Sequence, residues 1–260
     1  MDYAAPYRGN FIRSIQFLEK NIKSDGKRLI YVFPQKAQDL DWIKLLVSEG
    51  ACIYFIGGTF FSKKIRFRNI NVIYSIIRKE QVRIIHTHFM NYNYSLFLLK
   101  YLYGTRIKII GHFHSLFLPP RNKYRTLKIL CTRLTYDLII GVSTTVADSI
   151  KEAGIKSSKV ISIHNAIDFD RLDYFEQIFF SEDHRQKVIL MFGWPFYIKG
   201  VDVAIKAVEQ LNEERADILL VISLSGGKEL FEYEIVNLIG QIPSWLKILE
   251  PRDDVASYYN

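Results

Sequence analysis

The sequence is poor in cysteine and in long apolar runs, and each shortage excludes a class of protein. Its two cysteines, Cys52 and Cys131, each lie inside a short apolar segment. This is typical of buried thiols and not of a disulfide framework or a cysteine-based metal site. No run reaches the roughly 20 apolar residues that a membrane-spanning helix needs, and the first residues lack the pattern of a secretory leader. We therefore expect a cytoplasmic protein.

Acidic residues are scarce in the first part of the chain. Residues 1–170 contain 26 lysines and arginines against 12 acidic residues, a net charge of +14, whereas residues 171–260 contain 9 against 15, a net charge of −6. This charge step predicts two domains, 1–170 and 171–260. The basic first domain predicts an anionic partner, which could be a nucleic acid, a lipid surface or a phosphorylated substrate.

Short apolar segments alternate with amphipathic ones along the chain. Continuous apolar strands are typical of a parallel sheet covered by helices on both faces, so we expect an α/β fold with right-handed crossovers. Predicted strands cover residues 28–33, 52–56, 83–86, 107–111, 137–141, 159–163, 187–192, 218–222 and 246–249. Predicted helices include residues 121–134, 199–212 and 228–239, and one that Ser143 caps and Gly154 stops. The second domain thus has about three of the five or six strands of a Rossmann-like domain, and no strand precedes the first helix.

Four of the six histidines form two pairs, His86 with His88 and His112 with His114, each at the carboxyl end of a predicted strand. That end is the ligand-binding edge of an open α/β sheet, and period-two geometry places both members of a pair on one face. Three interpretations remain open. The pairs could bind a metal, although the carboxylates of hydrolytic sites are missing. They could instead hydrogen-bond a sugar or phosphate, or serve only packing and helix capping.

Three glycine-containing loops open predicted helices and so offer backbone N–H groups to an anion. They contain Gly9 with Asn10, Gly193 with Lys199, and Ser225 with Gly226. A lysine at a helix start opposes the helix dipole, which favours acids in the first turn, so an anionic ligand would explain Lys199. The alternatives are a plain turn at Gly9 and a solvated surface lysine at position 199.

Two basic runs carry interleaved aromatic and leucine residues. Their cationic residues include Lys63, Lys64 and Arg66 in the first run and Arg121, Lys123 and Arg125 in the second. Basic amphipathic segments of this kind are typical of docking on an anionic membrane leaflet, and a solvated helix face is the alternative. No groove-reading or RNA-binding motif accompanies the charge, so nucleic acid is not the expected partner.

Six segments, in one order along the chain, resemble those of a known family. They are residues 9–11, 84–88, 109–115, 137–143, 160–168 and 193–202. In turn they are similar to a glycine loop, two histidine-bearing strand ends, a strand with a Val-Ser turn, an Asn-Gly-Val-Asp interdomain signature and a donor-diphosphate motif. Together they resemble family-4 retaining glycosyltransferases of the GT-B fold, which has two Rossmann-like domains. The resemblance covers essentially the whole chain.

The resemblance implies that a sugar moves from a nucleotide-diphosphate donor to an acceptor hydroxyl with retention, without a metal or another cofactor. By position, His114 and Lys199 would be catalytic: His114 would contact the donor sugar, and Lys199 would neutralise the leaving phosphate. The donor diphosphate would be bound by Gly9, Asn10, Gly193, Ser225 and Gly226, and the acceptor side would contain His86, His88 and His112. The basic domain would suit lipid-linked acceptors of surface polysaccharide or glycolipid synthesis, reached by peripheral contact with the inner face of the plasma membrane.

The sequence departs from the family pattern at several positions. Trp194 stands where the family usually has arginine, Ala166 replaces a glycine, and the paired-glutamate motif for the donor sugar does not occur before residue 260. We therefore expect a fragment that binds a nucleotide sugar weakly or not at all. The alternative functions are a non-catalytic glycosyltransferase-like scaffold, which docks on a membrane or a partner enzyme, and a His-x-His metal hydrolase.

Overall fold

The chain forms two compact units, Met1–Ile167 and Asp168–Asn260. The computed structural model describes residues 3–5, 8, 10–57, 67–89, 93–102, 107–119, 125–166, 186–193, 195–215, 217–224, 228–250 and 256–258. Every strand pairing among these residues is parallel. The expected α/β class, with two Rossmann-like domains, is therefore confirmed.

The first unit alternates helices and strands. Its helices are α1 (Asn10–Ser24), α2 (Asp41–Ser48), α3 (Phe67–Glu80), α4 (Asn93–Leu102), α5 (Arg125–Thr135) and α6 (Thr144–Glu152). Its strands are β1 (Ile30–Pro34), β2 (Cys52–Ile56), β3 (Ile84–His88), β4 (Lys108–Phe113), β5 (Leu138–Gly141) and β6 (Val160–Ser162), with 3-10 turns at Gln35–Ala37 and Ser157–Lys159. Each strand begins and ends within two residues of its predicted bounds.

These strands form two sheets. Strands β1 and β2 pair with each other, and the other four form a sheet in the order β3-β4-β5-β6. The register places His88 beside His112 and Phe113 beside Gly141. The carboxyl ends of β3, β4 and β5 therefore meet at one edge of the larger sheet, which is the edge that the histidine pairs occupy.

Helices α3 and α4 are held on the larger sheet by apolar side chains at helical spacing. Ile70 and Ile77 of α3, and Leu99 of α4, belong to one buried cluster with Ile109 of β4. Each such side chain contributes roughly 1.5–3 kcal/mol when it is fully buried. A separate buried cluster joins α1, β1 and α2, so the start of α1 is positioned independently of the larger sheet's core.

Helix α6 follows β5 directly and has the ends that the sequence predicts. The hydroxyl of Ser143 accepts a hydrogen bond from the backbone N–H of Val146 at 3.2 Å. Gly154 adopts φ +96°, a conformation that favours glycine and that ends helices. Both capping predictions are therefore confirmed, and they fix the turn between β5 and α6.

Asp137, just before β5, ties three elements together. Its carboxylate accepts hydrogen bonds from the backbone N–H of Ile109 at 2.9 Å and from the Lys100 ammonium at 3.0 Å. Partial burial acts to raise the pKa of Asp137, but these hydrogen bonds and the charges of Lys100 and Lys108 outweigh it and lower the pKa. The ionised carboxylate therefore stabilises the junction of α4, β4 and β5.

Substituting Asp137→Asn should lower the free energy of unfolding by about 1.5–3 kcal/mol at pH 7, the usual range for hydrogen bonds to charged groups. Because the folded pKa is depressed, this stabilisation is present above the unfolded pKa of about 3.9 and is lost as the pH falls through the folded pKa. Urea unfolding at pH 7 and at stepwise lower pH should show the difference between wild type and variant shrinking. Asp148→Asn, which removes an exposed i,i+3 ion pair with Lys151, should cost about 0.5 kcal/mol or less at any pH.

The second unit contains one three-stranded sheet. Its elements are β7 (Lys187–Phe192), α7 (Val201–Glu214), β8 (Ile218–Ser223), α8 (Lys228–Ile239), β9 (Leu246–Leu249) and a 3-10 turn at Ala256–Tyr258. The sheet order is β7-β8-β9, and all six residues of the central strand are buried. Helix α7 begins at Val201, so the prediction that Lys199 opens the helix is wrong: Lys199 precedes it by two residues.

No helix in the described part of the chain combines the length and the apolar character that a bilayer span requires.

Candidate active site

The histidines of both pairs meet at the carboxyl edge of the larger sheet. His86 and His88 alternate with Thr87 along β3, and His112 is the register partner of His88 on β4. Since side chains two residues apart on a strand point to the same face, these three imidazoles share one face. His114 follows β4 by one residue and joins the same group.

The four imidazoles form a continuous cluster. Nδ1 of His88 and Nε2 of His114 are 3.1 Å apart, which is a hydrogen bond. The rings of His86 and His112 stack with centroids 5.4 Å apart, and those of His112 and His114 stack at 4.8 Å. The prediction that the pairs share one face is confirmed, and the structure adds a direct contact between His88 and His114. We call these four residues the histidine cluster.

Two phenylalanines enclose the histidine cluster. Phe11, in the first turn of α1, lies 5.5 Å from the ring of His88 and 5.7 Å from that of His114, measured between centroids. Phe89 lies 4.8 Å from His114 and makes an edge contact with Phe11. The start of α1 therefore packs against the end of β3 and beside His114.

Phe89 reaches this position through a left-handed backbone conformation, with φ +65°. Its N–H donates a hydrogen bond to the carbonyl of His112 at 3.2 Å, which holds the turn against the neighbouring strand. A residue with a side chain adopts this conformation at a cost of roughly 1–2 kcal/mol. Strain of this kind is concentrated at functional sites.

Burial keeps the histidine cluster uncharged. Desolvation, together with the neighbouring imidazoles, lowers the pKa of His86 and of His114 to about 4. It also lowers the pKa of His112, and that of His88 further still. At neutral pH the cluster therefore offers lone pairs and N–H donors and no positive charge. Three of its nitrogens, Nε2 of His86 and both ring nitrogens of His112, are buried without a hydrogen-bond partner among the described residues.

The structure describes two of the predicted donor-binding residues of the second unit, Gly193 and Lys199. Gly193 follows β7 and is buried, and its N–H donates to the carbonyl of Ser223 at 3.0 Å. A Cβ at this position would collide with Ile222 and press on Phe231, so the backbone needs glycine here. Lys199 lies on the exposed turn before α7, and its ammonium forms no ion pair with any residue that the structure describes.

The structure thus brings His86, His88, His112 and His114 together, whereas Gly193 and Lys199 belong to the other unit. Arg125 is exposed at the start of α5. The predictions for Gly9, Ser225, Gly226, Lys63, Lys64, Arg66, Arg121 and Lys123, and for the side chain of Asn10, fall outside the described residues.

Sequence reasoning missed the two phenylalanines. Phe11 carried a usable signal, because it directly follows the Gly9-Asn10 loop at a predicted helix start. Phe89 carried none: its role depends on a left-handed turn that no local pattern of residues predicts.

Comparisons with known proteins agree with this architecture. The sequence model of Glycosyltransferase Family 4 matches residues 47–171, the segment that contains the histidine cluster. No curated protein sequence matches the chain.

Among solved structures, the chain is similar to a glycosyltransferase from Rickettsia africae ESF-5, with 19% identity and a TM-score of 0.68 over 93% of this chain and 64% of that one. It is also similar to Anabaena HepE in complex with UDP and glucose, with 15% identity and a TM-score of 0.70 over 99% of this chain and 70% of that one. A third is S. aureus MnaA in a co-structure with UDP, with 17% identity and a TM-score of 0.56 over 94% and 66%. The chain thus spans just under two thirds of the Rickettsia protein. Structural similarity at these low sequence identities shows the fold alone.

The parallel strands, the histidine cluster at their carboxyl edge and the sequence match over the same segment lead to one assignment. Residues 47–171 match the model of Glycosyltransferase Family 4, within a chain that has the two-domain GT-B type of fold.

Proposed function

We propose that this chain takes part in transferring a sugar from a nucleotide-diphosphate donor to an acceptor hydroxyl, with retention at the anomeric carbon. The observation that carries the proposal is the enclosed, uncharged histidine cluster inside the segment that matches a glycosyltransferase family. HepE, whose structure is similar to that of this chain, has been crystallised with UDP-glucose. This supports a nucleotide sugar as the donor.

In this proposal, His114 is the catalytic residue that contacts the donor sugar. We assign Nδ1–H of His88 as the donor to Nε2 of His114, which are 3.1 Å apart, and this assignment places the proton of the neutral His114 ring on Nδ1. That N–H is then the donor for a sugar hydroxyl. The rings of Phe11 and Phe89 beside it keep water away and strengthen the hydrogen bond. His86, His88 and His112 form the acceptor side in this proposal.

In this proposal, Lys199 neutralises the charge on the leaving phosphate. Its ammonium stands on an exposed turn within the segment that resembles a donor-diphosphate motif. A cation placed where the diphosphate leaves stabilises the charge that develops in the transition state. Trp194 replaces the arginine usual in the family, so Lys199 would act here without that second cation. The donor is a substrate, and the proposal includes no cofactor.

The proposed acceptor is lipid-linked, for surface polysaccharide or glycolipid synthesis, and is reached at the inner face of the plasma membrane. Helix α5 supports this contact, because Leu127, Leu130 and Leu134 lie at i, i+3, i+7 spacing and are 39–49% exposed. Arg125 and Arg133 are exposed on the same helix. An apolar stripe flanked by arginines suits the interface of an anionic leaflet.

Substituting Leu127→Glu together with Leu130→Glu should weaken binding to vesicles that contain phosphatidylglycerol by about tenfold or more, because two apolar side chains leave the interface and two anionic groups face the lipid. Vesicle co-sedimentation measures the change. Leu230→Glu on α8 is the matched control, since Leu230 is 53% exposed, and it should leave binding unchanged. Equal binding by wild type and the double variant would contradict the membrane contact.

Isothermal titration with UDP and GDP sugars, followed by a transfer assay with a lipid-linked acceptor, tests the proposed function. We expect weak but saturable binding of one donor and measurable transfer. A folded chain that binds vesicles but neither binds a donor nor transfers sugar would instead support the non-catalytic scaffold, which the exposed face of α5 also fits.

A further inference from the structure

Three imidazoles of the histidine cluster converge closely enough to share one ion. One ring nitrogen each from His86, His88 and His112 can be chosen so that all three lie within 4.8 Å of one another. They come from two adjacent strands whose register is fixed by parallel pairing. The backbone therefore holds the three side chains in place without a ligand.

The nitrogens of this group lack the partners that buried nitrogens normally have. Nε2 of His86 and both ring nitrogens of His112 are buried and make no hydrogen bond to any described residue. A buried polar group without a partner costs about 1–3 kcal/mol. A bound cation would give a partner to Nε2 of His86 and to one of the two ring nitrogens of His112.

The contact between His88 and His114 fits a metal-binding imidazole. When Nδ1–H of His88 donates to Nε2 of His114, the lone pair of His88 is on Nε2. Imidazoles that ligate metals usually donate their second ring N–H in this way, which fixes the tautomer and the ring orientation. His114 would therefore orient a ligand and would not itself bind the ion.

We propose that His86, His88 and His112 bind one divalent late first-row transition metal ion, of the class Zn²⁺, Co²⁺ or Ni²⁺. Neutral imidazoles suit these ions, and the group contains no carboxylate, so Mg²⁺, Mn²⁺ and Ca²⁺ are disfavoured. Bonds of about 2.0–2.1 Å require nitrogens about 3.3 Å apart in a tetrahedral site. When the ion binds, the ligating nitrogens would therefore move closer together by about 1.5 Å at most, from separations of up to 4.8 Å.

The family resemblance implied a reaction without a metal, and the missing carboxylates counted against a hydrolytic metal site, but three imidazoles can bind a metal ion without a carboxylate. The fourth coordination position is left to water. The ion is not part of the proposed sugar transfer, because it occupies the imidazoles that would contact sugar hydroxyls. Metal and sugar would thus compete for the histidine cluster at the carboxyl edge of the larger sheet. Metal binding can be tested without any sugar.

Titrating the purified, tag-free chain with Co²⁺ tests the proposal directly. Nitrogen-ligated Co²⁺ of low coordination number absorbs visible light far more strongly than the hydrated ion. We expect the absorption to saturate at one ion per chain, to be abolished by an equivalent of Zn²⁺, and to be unaffected by excess Mg²⁺. Zn²⁺ should also raise the melting temperature, because it binds the folded state.

His86→Ala and His112→Ala should each weaken Co²⁺ binding by about tenfold or more. His164→Ala is the matched control, since His164 is exposed and outside the cluster, and it should bind as wild type does. Far-UV circular dichroism without metal shows which of the two cluster variants fold. The test can be carried out with either variant, as long as that variant folds. A titration without new absorption, or undiminished binding in the folded variants, would overturn the proposal whatever the result of the sugar-transfer assay.

Discussion

Replacing His114 by alanine should reduce sugar transfer by about 100-fold while the chain stays folded. The variant removes the N–H donor that we propose for the donor sugar, and loss of one preorganised donor typically costs 10²–10³ in rate. The imidazole is only partly buried and packs on Phe11 and Phe89. Its removal should therefore leave the strand pairing intact.

The kinetic signature should separate a catalytic role from a structural one. A hydrogen bond that strengthens as the transition state forms affects kcat more than KM. We therefore expect most of the loss in kcat, with KM for the donor changed by less than about threefold. A glutamine at position 114 keeps an N–H donor and should retain more activity than alanine does.

His164→Ala serves again as the control and should retain full activity. Matching circular dichroism spectra and melting temperatures would show that the three variants fold as the wild type does. If the alanine variant at position 114 transferred sugar at the wild-type rate, His114 would have no catalytic role, although the fold assignment would stand.

Much of the fold could be predicted because the relevant signals are local. Apolar runs such as Leu138–Gly141 have the length of a buried strand, and Ser143 and Gly154 mark helix ends through their own chemistry. The histidine pairs could be placed at one sheet edge because parallel strands all end on the same side. The class of the fold and the location of the site therefore follow from short stretches of sequence.

The parts that could not be predicted depend on contacts between distant residues or on unusual backbone angles. The hydrogen bond between His88 and His114 requires the register of β3 against β4, which apolar patterning does not specify. Lys199 was expected in the first turn of α7, but the chain makes an extra turn that ends at Gly200, with φ +68°. This turn requires a backbone conformation that favours glycine. The apolar periodicity of the following helix does not indicate that the turn is present.

The charge state of the four histidines also depends on tertiary structure. The sequence left open whether they hydrogen-bond a sugar or a phosphate, and it does not specify their protonation. Because they are buried and adjacent to one another, their pKa values are lowered and they are neutral. The positive charge for the diphosphate is therefore assigned to Lys199 in our proposal.

Substituting Gly141→Ala should lower the free energy of unfolding by about 2–3 kcal/mol, the upper part of the range for overpacked cores. A Cβ on Gly141 would lie 2.6 Å from the backbone nitrogen of Ala147. No rotamer change relieves a collision with backbone. The two elements also cannot separate easily, because Gly141 pairs with both Phe113 and Ser162 and the N–H of Ala147 is bonded to Ser143.

Gly57→Ala provides the comparison, because a Cβ there would meet no atom within 4 Å. It should change the free energy of unfolding by about 0.5 kcal/mol or less. Urea unfolding followed by circular dichroism measures both, and a shift in midpoint at unchanged slope assigns the loss to the folded state. Since β5 borders β4, which bears His112 and ends one residue before His114, the Gly141 variant should also lose sugar transfer and metal binding together. Equal midpoints for the two variants would mean that α6 moves away from β5 at little cost, and that this junction does not hold the histidine cluster in place.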